Sequence, residues 1–316
     1  MSPPPDRSPR ALAAAVRLRL WRLKVRLLPW TRPRPRDLPA PGRPGRWTEP
    51  ARKHSGDWGA SQARALWSGL YEPKGLVVDG ATVLDLGCSW GYLLRHLATE
   101  HAPARLIGVD VSPLWDTAGH GWDWRAERVP IEFHAGELSE IGALADASVD
   151  LVLCTSTLQY MTPEQVEANL ARAYALLRPG GRMVLRTRVF TSYIGADLHR
   201  TFAKPYVHLL YGEEQLARLA RERTGADPRY LNWLTASTYT AMMHRAGFEI
   251  AGSRRRPNGA APGVLREVAE RVPAPAGELG CAELEAELVR PLGLEDLPAL
   301  ADIVDTRPAS MRGAPR

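Results

Sequence analysis

The chain has 316 residues, 45% of them hydrophobic, which is enough for one large domain with a buried core and some extensions. Its three cysteines have no paired spacing, so a disulfide framework and a cysteine metal site are disfavoured, and we expect a cytoplasmic protein with reduced thiols. The formal charge of +6 is unevenly divided. Residues 1–53 hold fourteen Lys or Arg and three Asp or Glu, a net +11, so residues 54–316 carry −5.

Residues 1–53 are predicted to be a basic amphipathic arm followed by a Pro-rich linker. Within residues 10–30, apolar residues recur every three or four positions, which predicts a helix with one apolar stripe flanked by arginines. Such a helix suits peripheral contact with an anionic membrane, but a flexible tail or a docking helix explains the pattern equally well. Nucleic acid is disfavoured as a partner because the remainder of the chain is mildly acidic and has no basic-aromatic motif.

The first core element is a predicted strand, turn and helix at residues 83–93, VLDLGCSWGYL. An apolar run contains Asp85 near its end, Gly87 and Gly91 bracket a turn, and leucines resume at helical spacing from Leu93. At the carboxyl edge of a parallel sheet, such a turn receives a nucleotide-like ligand. An ordinary strand-to-helix turn has the same local pattern, so the following elements decide between the two.

Further predicted strands follow at plausible intervals. Residues 105–112 form an apolar run containing Asp110, whose carboxylate could accept two hydrogen bonds from ribose hydroxyls. Residues 131–138, IEFHAGEL, begin with a short strand, and Gly136 and Glu137 come after it within this segment. Residues 148–154 are predicted to be a central strand that is buried on both faces. A helix then ends in LRPGG, which predicts a turn into another strand at residues 182–187; the turn lies within residues 176–181.

This order of elements, over about residues 76–190, resembles the class I (Rossmann-like) S-adenosylmethionine-dependent methyltransferases of the type 11/12 group. The resemblance implies an α/β fold: a Rossmann-like, seven-stranded, mostly parallel sheet with helices on both faces. It also implies S-adenosyl-L-methionine as the cofactor. By that resemblance Asp110 would clamp the ribose, Glu137 would contact the adenine amino group, and Ser89 stands where the family's motif has its middle glycine. The implied cofactor-binding residues are Asp85, Gly87, Cys88, Ser89, Gly91, Asp110, Val111, Gly136, Glu137 and Thr155.

The remaining segments are placed around this domain. We expect the methyltransferase domain at residues 54–256, with a helical lid insertion at about residues 190–240 and, at its end, a helix closed by Gly247. Residues 257–304 are predicted to be a C-terminal extension with a last strand at residues 285–290, and residues 305–316 a flexible tail.

The implied chemistry is methyl transfer by in-line displacement, which requires no metal but needs a base when the acceptor must lose a proton. Candidate bases are Tyr160, His199 and His208, each of which is equally explained as a packed aromatic or a surface group of the lid. Thr155, Ser156, Thr157 and Leu158 stand where methylases of DNA bases carry Asn-Pro-Pro-Tyr or Asp-Pro-Pro-Tyr. A small-molecule acceptor is therefore favoured over a nucleobase.

Three other functions were weighed against this one. A dinucleotide-binding oxidoreductase is disfavoured because the bulky Tyr92 occupies the place of its third glycine. A non-catalytic protein that binds S-adenosylmethionine or S-adenosylhomocysteine stays open, since no base is assigned. The basic arm keeps open a membrane-recruited methyltransferase acting on a lipid-linked or quinone-like acceptor.

Overall fold

The computed structural model describes residues 56–116, 122–192, 206–210, 232, 234–257 and 262–292, except 271, 273 and 275, with a few isolated residues between 214 and 222. The predicted arm and linker (1–53), much of the predicted lid and the predicted tail (305–316) lie outside the described residues. No helix among the described residues has the length and apolar character needed to cross a membrane.

Seven strands form one sheet, as predicted. The strands are β1 Thr82–Leu86, β2 Arg105–Asp110, β3 Ile131–Ala135, β4 Val149–Thr155, β5 Leu177–Arg188, β6 Glu249–Pro257 and β7 Cys281–Val289. Their spatial order is β3-β2-β1-β4-β5-β7-β6, and β7 runs antiparallel to both of its neighbours while every other pair is parallel. The strand order changes direction between β1 and β4, and ligands of open α/β sheets bind at the carboxyl ends of the strands at such a switch point.

Helices connect the strands and cover the sheet. The helices are α1 Gly56–Leu66, α2 Tyr92–Glu100, α3 Pro163–Leu176, α4 Val207–Leu210, α5 Ala236–Arg245, α6 Pro262–Ala269 and α7 Ala276–Leu279. The start of α3 is fixed by a capping box in which Gln165 N donates to Thr162 Oγ1 and Thr162 N donates to Gln165 Oε1.

The two faces of the sheet have separate apolar cores. On one face Val83 and Leu153 pack with α2 and with the segment that follows α1, represented by Leu94 and Trp67. On the other face the strand residues pack with α3 and α5; these include Leu84, Val152, Leu185, Leu170 and Met243. Alternate strand residues point to opposite faces, which accounts for both faces being apolar along the central strands.

Two predicted boundaries were wrong. LRPGG does not precede the strand, because β5 begins at Leu177; it forms an irregular start to β5, where the pairing with β4 shifts from Val149–Leu177 to Leu151–Arg182 and Gly180 has a φ of +76°. Gly180 N donates to Arg290 O and Arg290 N donates to Gly181 O, so pairing with the chain just after β7 draws this segment into the sheet. The last strand spans Cys281–Val289 instead of residues 285–290, whereas β2 ends at Asp110 as predicted.

Candidate active site

The turn between β1 and α2 is pressed against β2 and leaves no room for side chains at its two glycines. Gly87 N and Cys88 N both donate to Val109 O, at 2.7 and 3.1 Å. Gly87 and Gly91 have φ of +81° and +75°, which favours glycine. A Cβ on Gly87 would lie 1.9 Å from Thr157 Oγ1, so the absence of a side chain at Gly87 is what lets Thr157 pack against this turn.

Asp110 is oriented by the same turn. Its Oδ2 accepts a hydrogen bond from Ser89 N at 2.9 Å, and its Oδ1 accepts one from Ser112 N at 2.9 Å. Ser89 achieves this with a φ of +51°, a left-handed conformation that costs a non-glycine residue about 1 kcal/mol. A carboxylate has about four acceptor positions, so both oxygens of Asp110 retain a lone pair for a ligand's hydroxyl groups.

Asp85 lies below the turn with only 5% of its surface exposed. Burial, and secondarily the charge of Asp110, raise the pKa of Asp85 to about 7. A buried carboxylate of this kind is held ionised by a cation, so the position favours a ligand that brings a positive charge.

Tyr71, in the turn that follows α1, is fully buried beside Asp85. Burial, followed by the charge of Asp85, raises the pKa of Tyr71 well above its ordinary value, so its hydroxyl stays neutral. That hydroxyl lies 2.5 Å from Thr155 Oγ1 at the end of β4. The segment that precedes β1 thus reaches the carboxyl edge of the sheet, where Tyr71 is hydrogen-bonded to Thr155.

The carboxylate of Glu137 is directed toward α3. Its Oε1 accepts a hydrogen bond from Gln165 Nε2 at 3.1 Å and its Oε2 accepts one from Asn169 Nδ2 at 3.0 Å. Glutamate is long enough to reach these amides, and α3 is tied by them to the loop after β3. Gly136 N donates to Asp110 O at 3.0 Å, which places the start of this loop beside the ribose-clamp candidate. Contact of Glu137 with adenine stays a prediction.

Val111 and Cys88 occupy contrasting environments next to the turn. Val111 follows Asp110 and is 62% exposed, so it offers an apolar surface at the carboxyl edge of β2. Cys88 is buried, and burial, followed by the charges of Asp85 and Asp110, raises the pKa of its thiol well above the ordinary value. The Cys88 thiol is therefore a packing group, and all three cysteines are buried free thiols.

An aromatic layer below the turn was missed by the sequence reasoning. Trp115 and Phe133 stack with ring centroids 4.7 Å apart, and the rings of Trp122 and Trp124 meet Phe133 edge-on. A Cβ on Gly91 would come within 2.9 Å of Phe133 and Trp122. The sequence feature that could have indicated this layer is the group of three tryptophans between β2 and β3. Their packing on Phe133 supports the turn from below.

Two of the three candidate bases fall among the described residues. Tyr160 ends a short 3-10 turn after β4 and is 41% exposed at the carboxyl edge. His208 in α4 is 4% exposed, and its Nε2 lies 2.6 Å from Phe190 O, just past the end of β5. Burial lowers the pKa of His208 to about 4, so its imidazole is neutral. His199 lies outside the described residues.

A buried amide network that the sequence reasoning also missed holds the loop after β4. Gln159 Oε1 accepts hydrogen bonds from Arg188 N at 3.0 Å and Thr187 Oγ1 at 3.2 Å. Asn232 Nδ2 donates to Leu158 O at 2.8 Å and Met161 O at 3.0 Å. These bonds connect the loop to β5 and to the region of the predicted lid. In the described part of the chain, no group of three or more acidic, His or Cys side chains is arranged to hold a metal ion.

Part of the chain is similar to known proteins. A family model described as a methyltransferase domain matches residues 83–181, which run from β1 into β5. A carboxy-S-adenosyl-L-methionine synthase of Escherichia coli is 28% identical over 181 residues, or 55% of this chain and 69% of that protein. The corresponding synthase of Shigella sonnei is 27% identical over the same shares of the two chains.

Solved structures of similar proteins include a putative S-adenosylmethionine-dependent methyltransferase from Listeria monocytogenes. It is 19% identical with a TM-score of 0.47, covering 72% of this chain and 98% of that one. A second is a phosphoethanolamine N-methyltransferase 2 from Haemonchus contortus, 14% identical with a TM-score of 0.48, covering 78% of this chain and 60% of that one. Residues 83–181 match a methyltransferase domain, and this match together with the strand order and the switch point supports a class I S-adenosylmethionine-dependent methyltransferase of the type 11/12 group.

Proposed function

We propose that this enzyme transfers a methyl group from S-adenosyl-L-methionine to a small-molecule acceptor by in-line displacement. The observation that carries the proposal is the Asp110 carboxylate, whose two oxygens are oriented by Ser89 N and Ser112 N beside the glycine turn. A pair of fixed acceptors at a switch point suits the vicinal hydroxyls of a ribose.

The residues around Asp110 fit the rest of this cofactor. Val111 offers its exposed apolar surface to a face of adenine, and by the family resemblance the turn of Gly87 and Gly91 would lie along the cofactor's amino-acid arm. The buried Asp85 would pair with the cofactor's ammonium group, which supplies the positive charge that its environment otherwise lacks. The other proposed contacts follow the family resemblance: Cys88, Ser89, Gly136, Glu137 and Thr155.

The bound cofactor supplies an activated methyl group on a sulfonium. The protein has to orient the acceptor at that methyl and take up a proton where the acceptor releases one. His208 is suited to the second task because its Nε2–H donates to Phe190 O, leaving Nδ1 as a neutral acceptor. Nδ1 is buried and has no hydrogen-bond partner among the described residues. Tyr160 would contact the acceptor at the mouth of the site.

The small size of the acceptor is supported by the loop after β4. It reads Thr155, Ser156, Thr157, Leu158, without the Pro-Pro-Tyr sequence that holds an extruded base in methylases of nucleic acids. Gln159 and Asn232 pin this loop from behind. The loop therefore presents short hydroxyl side chains to an acceptor.

The experiment incubates the enzyme with S-adenosylmethionine labelled in its methyl group and a small-metabolite extract of the organism that produces it. We expect label in dialysable products. His208→Gln keeps a donor for Phe190 O but lacks a basic nitrogen, so it should lower transfer by about 100-fold while S-adenosylhomocysteine binds as before. His244→Gln, at an exposed position of α5, is the control. Cofactor binding without label transfer to any fraction would instead support the non-catalytic alternative.

The arm supports a second candidate, a methyltransferase recruited to membranes and acting on a lipid-linked or quinone-like acceptor. Residues 10–30 combine an apolar stripe with a strong excess of arginine, which suits binding at an anionic bilayer surface. Sedimentation with anionic liposomes at low salt, lost on deleting residues 1–46 while cofactor affinity is kept, would support it. Full-length protein that stays in the supernatant would contradict it.

A further inference from the structure

Arg186 lies at the carboxyl edge of β5, beside the groups already described. It pairs in register with Thr155 on β4, so both side chains are on the same face of the sheet. Asp85 is on the same face, because Asp85 pairs in register with Leu153 and Leu153 with Val184, which is two residues before Arg186 on β5. The charge of Arg186 lowers the pKa of Tyr71 against the larger effect of burial, which places the guanidinium near the Tyr71 hydroxyl.

Two other arginines on this face have carboxylate partners. Arg182 pairs with Glu287, and Arg256 Nε lies 2.8 Å from Glu285 Oε1. Glu285 is the residue opposite Arg186 in the antiparallel pair of β5 and β7, and it forms an ion pair with Arg256, although its Oε1 has no hydrogen-bond partner among the described residues.

Arg186 has no carboxylate partner among the described residues. The side chain is half-buried and its Nε is fully covered, but within the described residues Nε has no hydrogen-bond partner and the guanidinium makes no ion pair. A covered N–H of a charged group without an acceptor is rare in folded proteins. An acceptor is therefore expected from outside the described chain, and a ligand is the natural source at the carboxyl edge of the sheet.

The chemistry of the group defines the ligand. A guanidinium is always charged and presents parallel N–H donors that match the two oxygens of a carboxylate or phosphate. β5 lies two strand spacings from β1, which is about 10 Å. We therefore expect Arg186 to meet the methyl acceptor and not the cofactor at the glycine turn. We propose that Arg186 anchors an anionic group, a carboxylate or phosphate, of the methyl acceptor. This inference rests on the proposed function, because it assumes that the cofactor occupies the β1 side.

The test compares Arg186→Gln and Arg186→Lys with the wild type by calorimetric titration. Arg254→Gln is the matched control, since Arg254 is exposed and also lies opposite Glu285, on β6. Benzoate and phenyl phosphate are the anionic probes, titrated into protein saturated with S-adenosylhomocysteine. S-Adenosylhomocysteine and methylthioadenosine, which lacks the amino-acid carboxylate, are titrated separately.

We expect at least one anionic probe to bind the wild type and the control, about tenfold or more weaker binding to Arg186→Gln, and partial retention in Arg186→Lys. S-Adenosylhomocysteine should bind all four proteins alike. Loss of S-adenosylhomocysteine affinity in Arg186→Gln, with methylthioadenosine unaffected, would assign Arg186 to the cofactor's own carboxylate and overturn the proposal. Probe binding that is absent from the wild type or independent of Arg186 would also overturn it. Wild-type protein that binds no S-adenosylhomocysteine would contradict the proposed function itself.

Discussion

The hydroxyl of Tyr71 lies 2.5 Å from Thr155 Oγ1, joining the segment before the first strand to the end of the fourth. The two residues are 84 positions apart, and Tyr71 is fully buried between Trp67 and the sheet. This bond closes one side of the candidate site, where Asp85 and Arg186 both influence the pKa of Tyr71.

The first prediction concerns the energy of this bond. Tyr71→Phe and Thr155→Val should each lower the free energy of unfolding by about 1 kcal/mol, because each leaves the partner hydroxyl without its hydrogen bond. The double variant should lose less than the two single losses combined, since both partners are then removed. Denaturant unfolding measures all four proteins, and strictly additive losses would show that the two hydroxyls do not interact.

The second prediction concerns the glycine turn. Gly87→Ala should lower the free energy of unfolding by about 3 kcal/mol, because the new Cβ meets Thr157 and the φ of +81° is unfavourable for alanine. Gly142→Ala is the control, since a Cβ there meets nothing within 4 Å. Thermal unfolding should give a clearly lower midpoint for Gly87→Ala than for Gly142→Ala. Equal midpoints would mean that the turn can accommodate a side chain without loss of stability.

The third prediction concerns pH and Asp85. Its pKa is about 7 when folded against an ordinary value of 3.8, so between these values the folded state binds more protons than the unfolded state. The stability contributed by this group is therefore full at acid pH and decreases as the pH rises from about 4 to 7, by up to about 4 kcal/mol.

Asp85→Asn removes that dependence. The stability of the variant relative to the wild type should rise from about pH 4 to about pH 7 and then level off. Urea unfolding across this range, without cofactor, measures it. Asp146→Asn, whose side chain is 70% exposed, provides the comparison. A constant offset between Asp85→Asn and wild type would rule out the raised pKa.

The fourth prediction concerns cofactor affinity. Asp110→Asn should weaken binding of S-adenosylhomocysteine by about 10- to 100-fold, because an amide has only one oxygen for the two backbone donors and the ribose. Calorimetric titration measures the change, again with Asp146→Asn as the reference protein. Unaltered affinity in well-folded Asp110→Asn would remove Asp110 from the site.

The sequence alone determined the parts of this protein that depend on neighbouring residues. The strand, glycine turn and helix from Val83 to Leu93 follow from local backbone requirements and apolar spacing, and so does the acid at the end of β2. The parallel sheet with helices on both faces followed from the order of such units. Ser89 was recognised as a departure, but its φ of +51° and its bond to Asp110 appear only in the structure.

Tertiary structure decided what depends on register and on contacts between distant segments. Pairing with Arg290 drew LRPGG into β5, and the length of its side chain let Glu137 reach α3. Arg186 has the pattern of an ordinary strand arginine, and only the register and the contacts show that Glu285, which lies opposite it, forms an ion pair with Arg256. A hydrogen-bond partner many residues away produces no periodic pattern in the sequence, so the fold could be predicted from local patterns, whereas the contacts of the candidate site could not.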